Sequence, residues 1–368
     1  MSLALSRKYR PKSFADLLGH DTNVEILTNA AKADQIGHAY IFYGSRGTGK
    51  TSTARLIAKI LNCEKRAAEA KFRAKGEPCN ECASCISIDA GTSFDIVEID
   101  AASNRGIDEI RGLKENIKAS PAGGRYKVYI IDEAHMLTPA AWNALLKTLE
   151  EPPAYAVFVL ATTEYEKIPA TIRSRAQRFV FRRVAKMKIV EKLTSISKAE
   201  NIDIEPAALE LIAAAGEGSF RDAESLLQQV SSTDKKIDLA TAERLIGRVG
   251  FKKVEDLAAH LLSGDAPAAL GALAEMNDEG GNVVALAKEL IHYLRKALTL
   301  KLNPDLESSY SLDLTKEEIA RMQKLAKDAD PTKTAALIRS LIRAYTEMRY
   351  SPFASVPLEI AIIESQAP

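Results

Sequence analysis

Apolar residues gather into short unbroken runs in the first half of the chain and spread into helical stripes in the second. Ala39-Tyr40-Ile41-Phe42-Tyr43 ends in Gly44. Asp95-Ile96-Val97-Glu98-Ile99-Asp100, Lys127-Val128-Tyr129-Ile130-Ile131 and Ala156-Val157-Phe158-Val159-Leu160 repeat the pattern. Such runs, separated by helices, predict a parallel sheet covered on both faces. Between them, Thr51 to Leu61 sets Ala54, Ile57, Ala58 and Leu61 at helical spacing. Pro139 to Glu151 does the same with Trp142, Leu145, Leu146 and Leu149, and Pro152-Pro153 stops it. Beyond Val184 the strand pattern ends. Residues 185–247 read as three or four short amphipathic helices, punctuated by Gly216, Gly218 and the stretch Ser231 to Lys236. Residues 248–368 read as longer Ala/Leu-rich helices with breaks at 263–265, 277–282, 303–312 and Pro352. The expected organisation is an α/β module over 1–184, a small helical module over 185–247 and a larger helical one over 248–368.

Composition narrows the class. With 46% hydrophobic and 27% charged residues, the 368-residue chain matches ordinary globular proteins, which excludes a disordered tail, a collagen-like rod and a disulfide miniprotein. Its length predicts two or three domains. No run of 18 apolar residues occurs, so no membrane-spanning helix is expected. Arg7, Lys8 and Arg10 are followed by no apolar core, unlike a secretory signal, and a cytoplasmic protein is expected. The net charge of +1 is unevenly spread, with 27 basic and 21 acidic residues through Val184. That mild excess suits nucleic acid, and an ordinary solvated surface equally well.

The chemistry concentrates at two places. Gly44-Ser45-Arg46-Gly47-Thr48-Gly49-Lys50-Thr51 fits the phosphate-binding loop GxxxxGK[ST] at every fixed position, between a predicted strand and a predicted helix. The glycines let backbone N–H groups turn inward around a β-phosphate, and the helix adds its positive N-terminal end. Lys50 is expected to reach the β- and γ-phosphates of ATP, and the Thr51 hydroxyl to bind Mg²⁺. Asp132 ends the third apolar run, at the carboxyl edge where open α/β sheets bind ligands, and is expected to hold Mg²⁺ through water. Glu133 beside it is the candidate general base for the attacking water. Together they point to hydrolysis of ATP to ADP. His135 is expected to be structural.

The second place holds all four cysteines, Cys63, Cys79, Cys82 and Cys85. Four thiolates complete a closed tetrahedral Zn²⁺ site, structural because no position is left for water. Free buried thiols and an iron–sulfur cluster are the other readings of the same spacing. The linking stretch Glu64 to Pro78, with eight charged residues, is expected to be a solvated excursion.

These residues, and others along nearly the whole chain, resemble the gamma/tau ATPase family of the bacterial DNA polymerase III clamp loader, in the AAA+ class. The resemblance rests on Tyr9-Arg10-Pro11 with Phe14, Leu17 and Gly19, and on Ile99-Asp100-Ala101-Ala102-Ser103 with Arg105-Gly106-Ile107. Its most specific stretch is Asn143-Ala144-Leu145-Leu146-Lys147-Thr148-Leu149-Glu150-Glu151-Pro152-Pro153. It implies an AAA+ P-loop module, then an all-α lid and an all-α collar that holds subunits in a ring. It also implies that Tyr9, Arg10 and Pro11 pack beside the adenine, and that Thr163 acts as a polar sensor of the attacking water. Ser174-Arg175 is similar to the family's Ser-Arg-Cys signature, with Ala176 in place of cysteine. Arg175 is thereby expected to act as a finger in a neighbouring subunit's ATP site, and Arg221 as a second sensor in its own chain. The family carries a Cys₄ zinc module at this place, with closer spacing to the first cysteine.

The resemblance implies an ATP-driven motor that opens a beta-type sliding clamp and loads it onto primed template DNA without sequence preference. Its implied partners are delta- and delta-prime-type subunits and further copies of itself, in the cytoplasm at the nucleoid, with no membrane. A DEAH helicase needs a second RecA-like lobe, and a non-hydrolysing scaffold predicts a damaged phosphate loop, whereas Gly44 to Thr51 is complete. The alternatives are another AAA+ DNA-remodelling ATPase or such a non-hydrolysing clamp-loader scaffold subunit. The chain is expected to be either the family's short form or a fragment of a longer tau-like protein.

Overall fold

A computed structural model describes residues 3–104, 106–232, 236–278, 280–327 and 329–365. Arg105, part of the stretch that resembles the gamma/tau family, lies outside them. The chain forms two compact units, Ser6–Val184 and a second made of Ala185–Pro368 with the first five residues.

Five parallel strands organise the first unit: β1 (Ala39–Gly44), β2 (Ile96–Asp100), β3 (Lys127–Asp132), β4 (Ala156–Thr162) and β5 (Gln177–Phe181), in the order β2-β3-β4-β1-β5. Period-two alternation sends successive side chains to opposite faces. Tyr40 and Phe42, Val128 and Ile130, and Val157 and Val159 fall on one face. They pack there against Ala54, Ile57 and Leu61 of helix α1 (Lys50–Asn62). Ala39, Ile41, Tyr129, Ile131, Phe158 and Leu160 fall on the other. They meet Ile110, Leu113 and Ile117 of α2 (Ile107–Lys118) and Trp142, Leu145 and Leu149 of α3 (Pro139–Glu150). Every residue of β4 is buried, as burial on both faces demands.

Four of these strands match the apolar runs. The fifth does not: β5 lies in the basic stretch Arg173 to Arg183 and pairs with β1 along Tyr40↔Gln177 to Gly44↔Phe181. It is an edge strand, burying only Phe179 and Phe181 while Gln177, Arg178 and Val180 face outward, so its signal is alternation and not a run. Leu146 of α3 is half-buried, at the margin of the helix's apolar face. The excursion after Cys63 is also less solvated than its charges suggest. It holds two short helical turns, Glu64–Ala68 and Ala70–Arg73. Arg66 is buried, donating to the carbonyls of Ile60, Arg73 and Ala31.

The second unit is helical. Four helices, α4 (Lys186–Ala199), α5 (Pro206–Ala215), α6 (Phe220–Ser231) and α7 (Leu239–Ile246), precede Gly247, whose φ of 69° ends α7 in the left-handed region. The remaining major helices are α8 (Phe251–Ser263), α9 (Ala266–Asp278), α10 (Val283–Leu302), α11 (Lys316–Ala326), α12 (Pro331–Glu347) and α13 (Val356–Glu364). They share one core, including Leu257, Leu286, Leu290, Leu294, Met322, Leu341 and Leu358. The break between α11 and α12 went unforeseen; Asp330 caps α12 and Pro331 opens it. A buried ion pair, Lys186 Nζ to Glu318 Oε1 at 2.7 Å, ties the start of α4 to α11.

Candidate nucleotide site and metal centre

The phosphate loop is built where β1 stops and α1 starts. Gly44, Gly47 and Gly49 have φ of 137°, 69° and 106°, conformations that other residues rarely hold. The loop is supported from inside: Thr48 is buried, its hydroxyl donates to Ser45 O at 2.8 Å, and His20 Nε2 lies 2.8 Å from Thr48 O. Burial pushes the His20 imidazole down from its ordinary range, opposed by its bond to Thr48. Ser45 and Arg46 are exposed on the loop's outer turn. The Lys50 ammonium is buried and donates to the carbonyls of Gly44 and Ser45, each at 2.8 Å. Burial lowers its pKa, while Glu133 and Asp132 favour the charge.

Because β4 lies between β1 and β3, the loop, Asp132 and the end of β4 converge on one edge of the sheet. The Thr51 hydroxyl donates to Asp132 Oδ2 at 2.8 Å, and Asp132 Oδ1 accepts from Glu133 N at 2.9 Å. Hard oxygen donors placed together at the loop suit Mg²⁺. Glu133 sits in the left-handed region (φ 47°), a strained position for a residue with a Cβ. Its Oε2 accepts from Thr163 N at 3.3 Å and Thr163 Oγ1 at 3.1 Å. Candidate base and candidate sensor are thus in direct contact.

Tyr9, Arg10 and Pro11 are half-buried, leading into Phe14 and Leu17, which join the core beside α1. The Arg175 guanidinium meets Glu150 Oε1 at 2.8 Å, Thr171 O at 2.6 Å and Ser174 Oγ at 3.1 Å, with about a third of the side chain (36%) in solvent. Glu150 belongs to the specific stretch at the end of α3, a pairing that sequence spacing did not reveal. Arg221, in the second unit, is exposed in the first turn of α6, after the cap that Ser219 provides to Asp222 N.

Two residues that the sequence did not mark join the nucleotide site. His20 supports the loop from beneath. Glu164 reaches His135, whose Nε2 is 3.2 Å from Glu164 Oε1 and whose Nδ1 is 3.0 Å from Thr162 Oγ1. Chain neighbours of recognised motifs were the available signal for both, and it is a weak one.

The four cysteine sulfurs lie within 4.8 Å of one another. A tetrahedral zinc site with Zn–S bonds of about 2.3 Å needs sulfurs roughly 3.8 Å apart, so the cluster fits. Cys79 Sγ accepts from Glu81 N and Cys82 N, Cys63 Sγ from Cys79 N, and Cys82 Sγ from Cys85 N, the pattern that steadies thiolates. Burial alone would raise the Cys79 thiol, yet these donors bring it down to about 7. Burial pushes Cys63 and Cys85 up. Helix Ala83–Ala90 carries Cys85, and its Asp89 pairs with buried Lys59 of α1 at 2.9 Å, fastening the module to the sheet.

Residues 19–185 match the family described as DNA polymerase III, delta subunit. Residues 188–232 match the ATPase lid domain of the DNA polymerase III clamp loader subunit, and 237–366 match domain III of the DNA polymerase III subunits gamma and tau. The chain is 40% identical over 362 residues to DNA polymerase III subunit tau of Bacillus subtilis, covering 98% of this chain and 62% of that one. To subunit tau of Escherichia coli it is 36% identical over 364 residues, covering 99% and 55%. Among solved structures, the DNA clamp loader delta protein of Bacillus subtilis aligns at 13% identity with a TM-score of 0.44, over 93% of this chain and 99% of that one. The chain spans between about half and two thirds of the length of these tau proteins. No helix among the described residues is long and apolar enough to cross a membrane.

Proposed function

Because the chain belongs to the gamma/tau family of the DNA polymerase III clamp loader, we propose that it is an ATP-driven motor subunit that opens a sliding clamp and loads it onto primed template DNA. The observation that carries this reading is the contact between Glu133 and Thr163 beside a complete phosphate loop. A scaffold would have no use for it. In this reading Gly44 to Thr51 cradle the phosphates, and Lys50 leaves its carbonyl partners for the β- and γ-oxygens. Thr51 and Asp132 hold Mg²⁺, which when bound offsets phosphate charge. Glu133 takes the proton of the attacking water while Thr163 fixes the carboxylate.

Arg175 supplies charge to a neighbouring subunit's transition state, and Arg221 senses the γ-phosphate from residues 185–247, the lid. Residues 248–368 form the collar, Tyr9 to Pro11 flank the adenine, and zinc closes the Cys63, Cys79, Cys82 and Cys85 module. The partners are delta- and delta-prime-type subunits, further copies of this chain, a beta-type clamp and primed DNA held through phosphates.

Steady-state ATP turnover by the chain assembled with its partner subunits tests this. Stimulation that requires both clamp and primer–template is expected. Glu133→Gln is expected to bind ATP and lose turnover by about a hundredfold or more. High turnover by the chain alone, indifferent to clamp and DNA, would overturn the reading.

A further inference from the structure

We infer that His135 is a positioning residue for Glu133, with its proton arrangement set by Glu164; the inference rests on Glu133 serving as the base. His135 follows Glu133 in the short turn Ala134–Met136 and is 7% exposed. One ring nitrogen, Nδ1, is 3.0 Å from Thr162 Oγ1 and 3.4 Å from Glu133 Oε2. The other, Nε2, is 3.2 Å from Glu164 Oε1. Thr162 is fully buried, and its oxygen also accepts from Glu164 N at 3.0 Å.

For a neutral ring, one assignment of protons suits both Thr162 and Glu164. A carboxylate accepts only, so Nε2, 3.2 Å from Glu164 Oε1, is the nitrogen that carries hydrogen. Thr162 Oγ1, occupied as an acceptor by Glu164 N–H, donates its own hydrogen to Nδ1. Nδ1 thereby spends its one lone pair on Thr162 and presents no hydrogen to Glu133. The Glu133 carboxylate keeps its two bonds from Thr163, and no imidazole proton competes with water for it. A histidine whose outer nitrogen is held by a carboxylate has its tautomer and ring angle fixed, and loss of such a partner lowers activity by about ten- to a hundredfold in metal sites. The same lever acts here on a base. Glu133 needs such a fixed neighbour because its backbone occupies the strained left-handed region at φ 47°.

The test uses the full chain assembled with its partner subunits, clamp and primed DNA. His135→Ala is expected to lower kcat about tenfold or more with KM for ATP unchanged. His135→Asn, which puts an uncharged amide oxygen near the place of Nδ1, is expected to restore most of kcat. Either kcat within twofold of the parent in His135→Ala, or kcat, ATP affinity and melting temperature falling together in both variants, would overturn the inference. Glu133→Gln separates the two levels. If it abolishes turnover while the His135 variants do not, only the positioning role fails. If Glu133→Gln retains turnover, both fail.

Discussion

At Gly44 a methyl group has nowhere to go. A Cβ built there would lie 1.9 Å from the carbonyl oxygen of Phe181 and 2.8 Å from its carbonyl carbon, both backbone atoms of the paired strand β5. The φ of 137° is a second, independent obstacle. Gly44→Ala is accordingly expected to destabilise the chain by about 3 kcal/mol or more and to abolish ATP binding, read by thermal melting and nucleotide titration. Gly112, inside α2 with open space around its Cβ position, is the control: Gly112→Ala should be neutral or stabilise by about 0.5–1 kcal/mol. An unchanged melting temperature in Gly44→Ala would mean that β1 and β5 are not paired as described. This loop was legible in the sequence because phosphate chemistry dictates the residue types themselves. The His135–Glu164 contact was not, because neither residue type is unusual and only the packing of β3 beside β4 brings them together.

Elements were legible where burial leaves a one-dimensional trace. The runs that became β1, β3 and β4 are apolar because both faces of each strand are covered, whereas the edge strand β2 is only half-buried at Ile96, Val97 and Ile99 and exposes Glu98 and Asp100. Strand β5 and the buried Arg66 left no such trace. One alternates polar and apolar positions, and the other hides a charge by donating to three carbonyls. With zinc bound as proposed, the cysteine module is the element whose folding would depend on a group outside the sequence. Two short helical turns and a loop make too small a core to stand without a staple. The purified chain is expected to carry stoichiometric zinc by metal analysis. Cys79→Ser, or removal of the metal by a chelator, should expose residues 64–82 to proteolysis while the β1–β5 sheet keeps its far-ultraviolet signal. Less than about half an equivalent of zinc, with residues 64–82 equally protected, would leave the cysteines as buried thiols.

At the scale of the whole molecule, the proposed function makes Arg175 decisive, as a residue whose work would lie outside its own ATP site. Arg175 stands partly in solvent, braced by Glu150 Oε1, Thr171 O and Ser174 Oγ. Three partners on one guanidinium restrict its rotamers before any neighbour arrives, so less side-chain entropy remains to be lost on docking. An exposed ion pair of this kind adds little to stability, about 0–1 kcal/mol. Removing it should therefore hardly move the melting temperature. Its value is positional if Arg175 enters the ATP site of the next subunit, where such an arginine is worth on the order of 10³ or more in rate. Arg175→Ala in the isolated chain is then expected to bind ATP with the parent's affinity. In the assembled complex the same substitution should collapse turnover stimulated by clamp and DNA. Mixing experiments sharpen the result: complexes built with one Arg175→Ala subunit and one Glu133→Gln subunit should depend on their order around the assembly, because an arginine acting across subunits serves its neighbour's ATP. Equal loss of nucleotide affinity in the isolated chain would place Arg175 in its own site and remove the cross-subunit role.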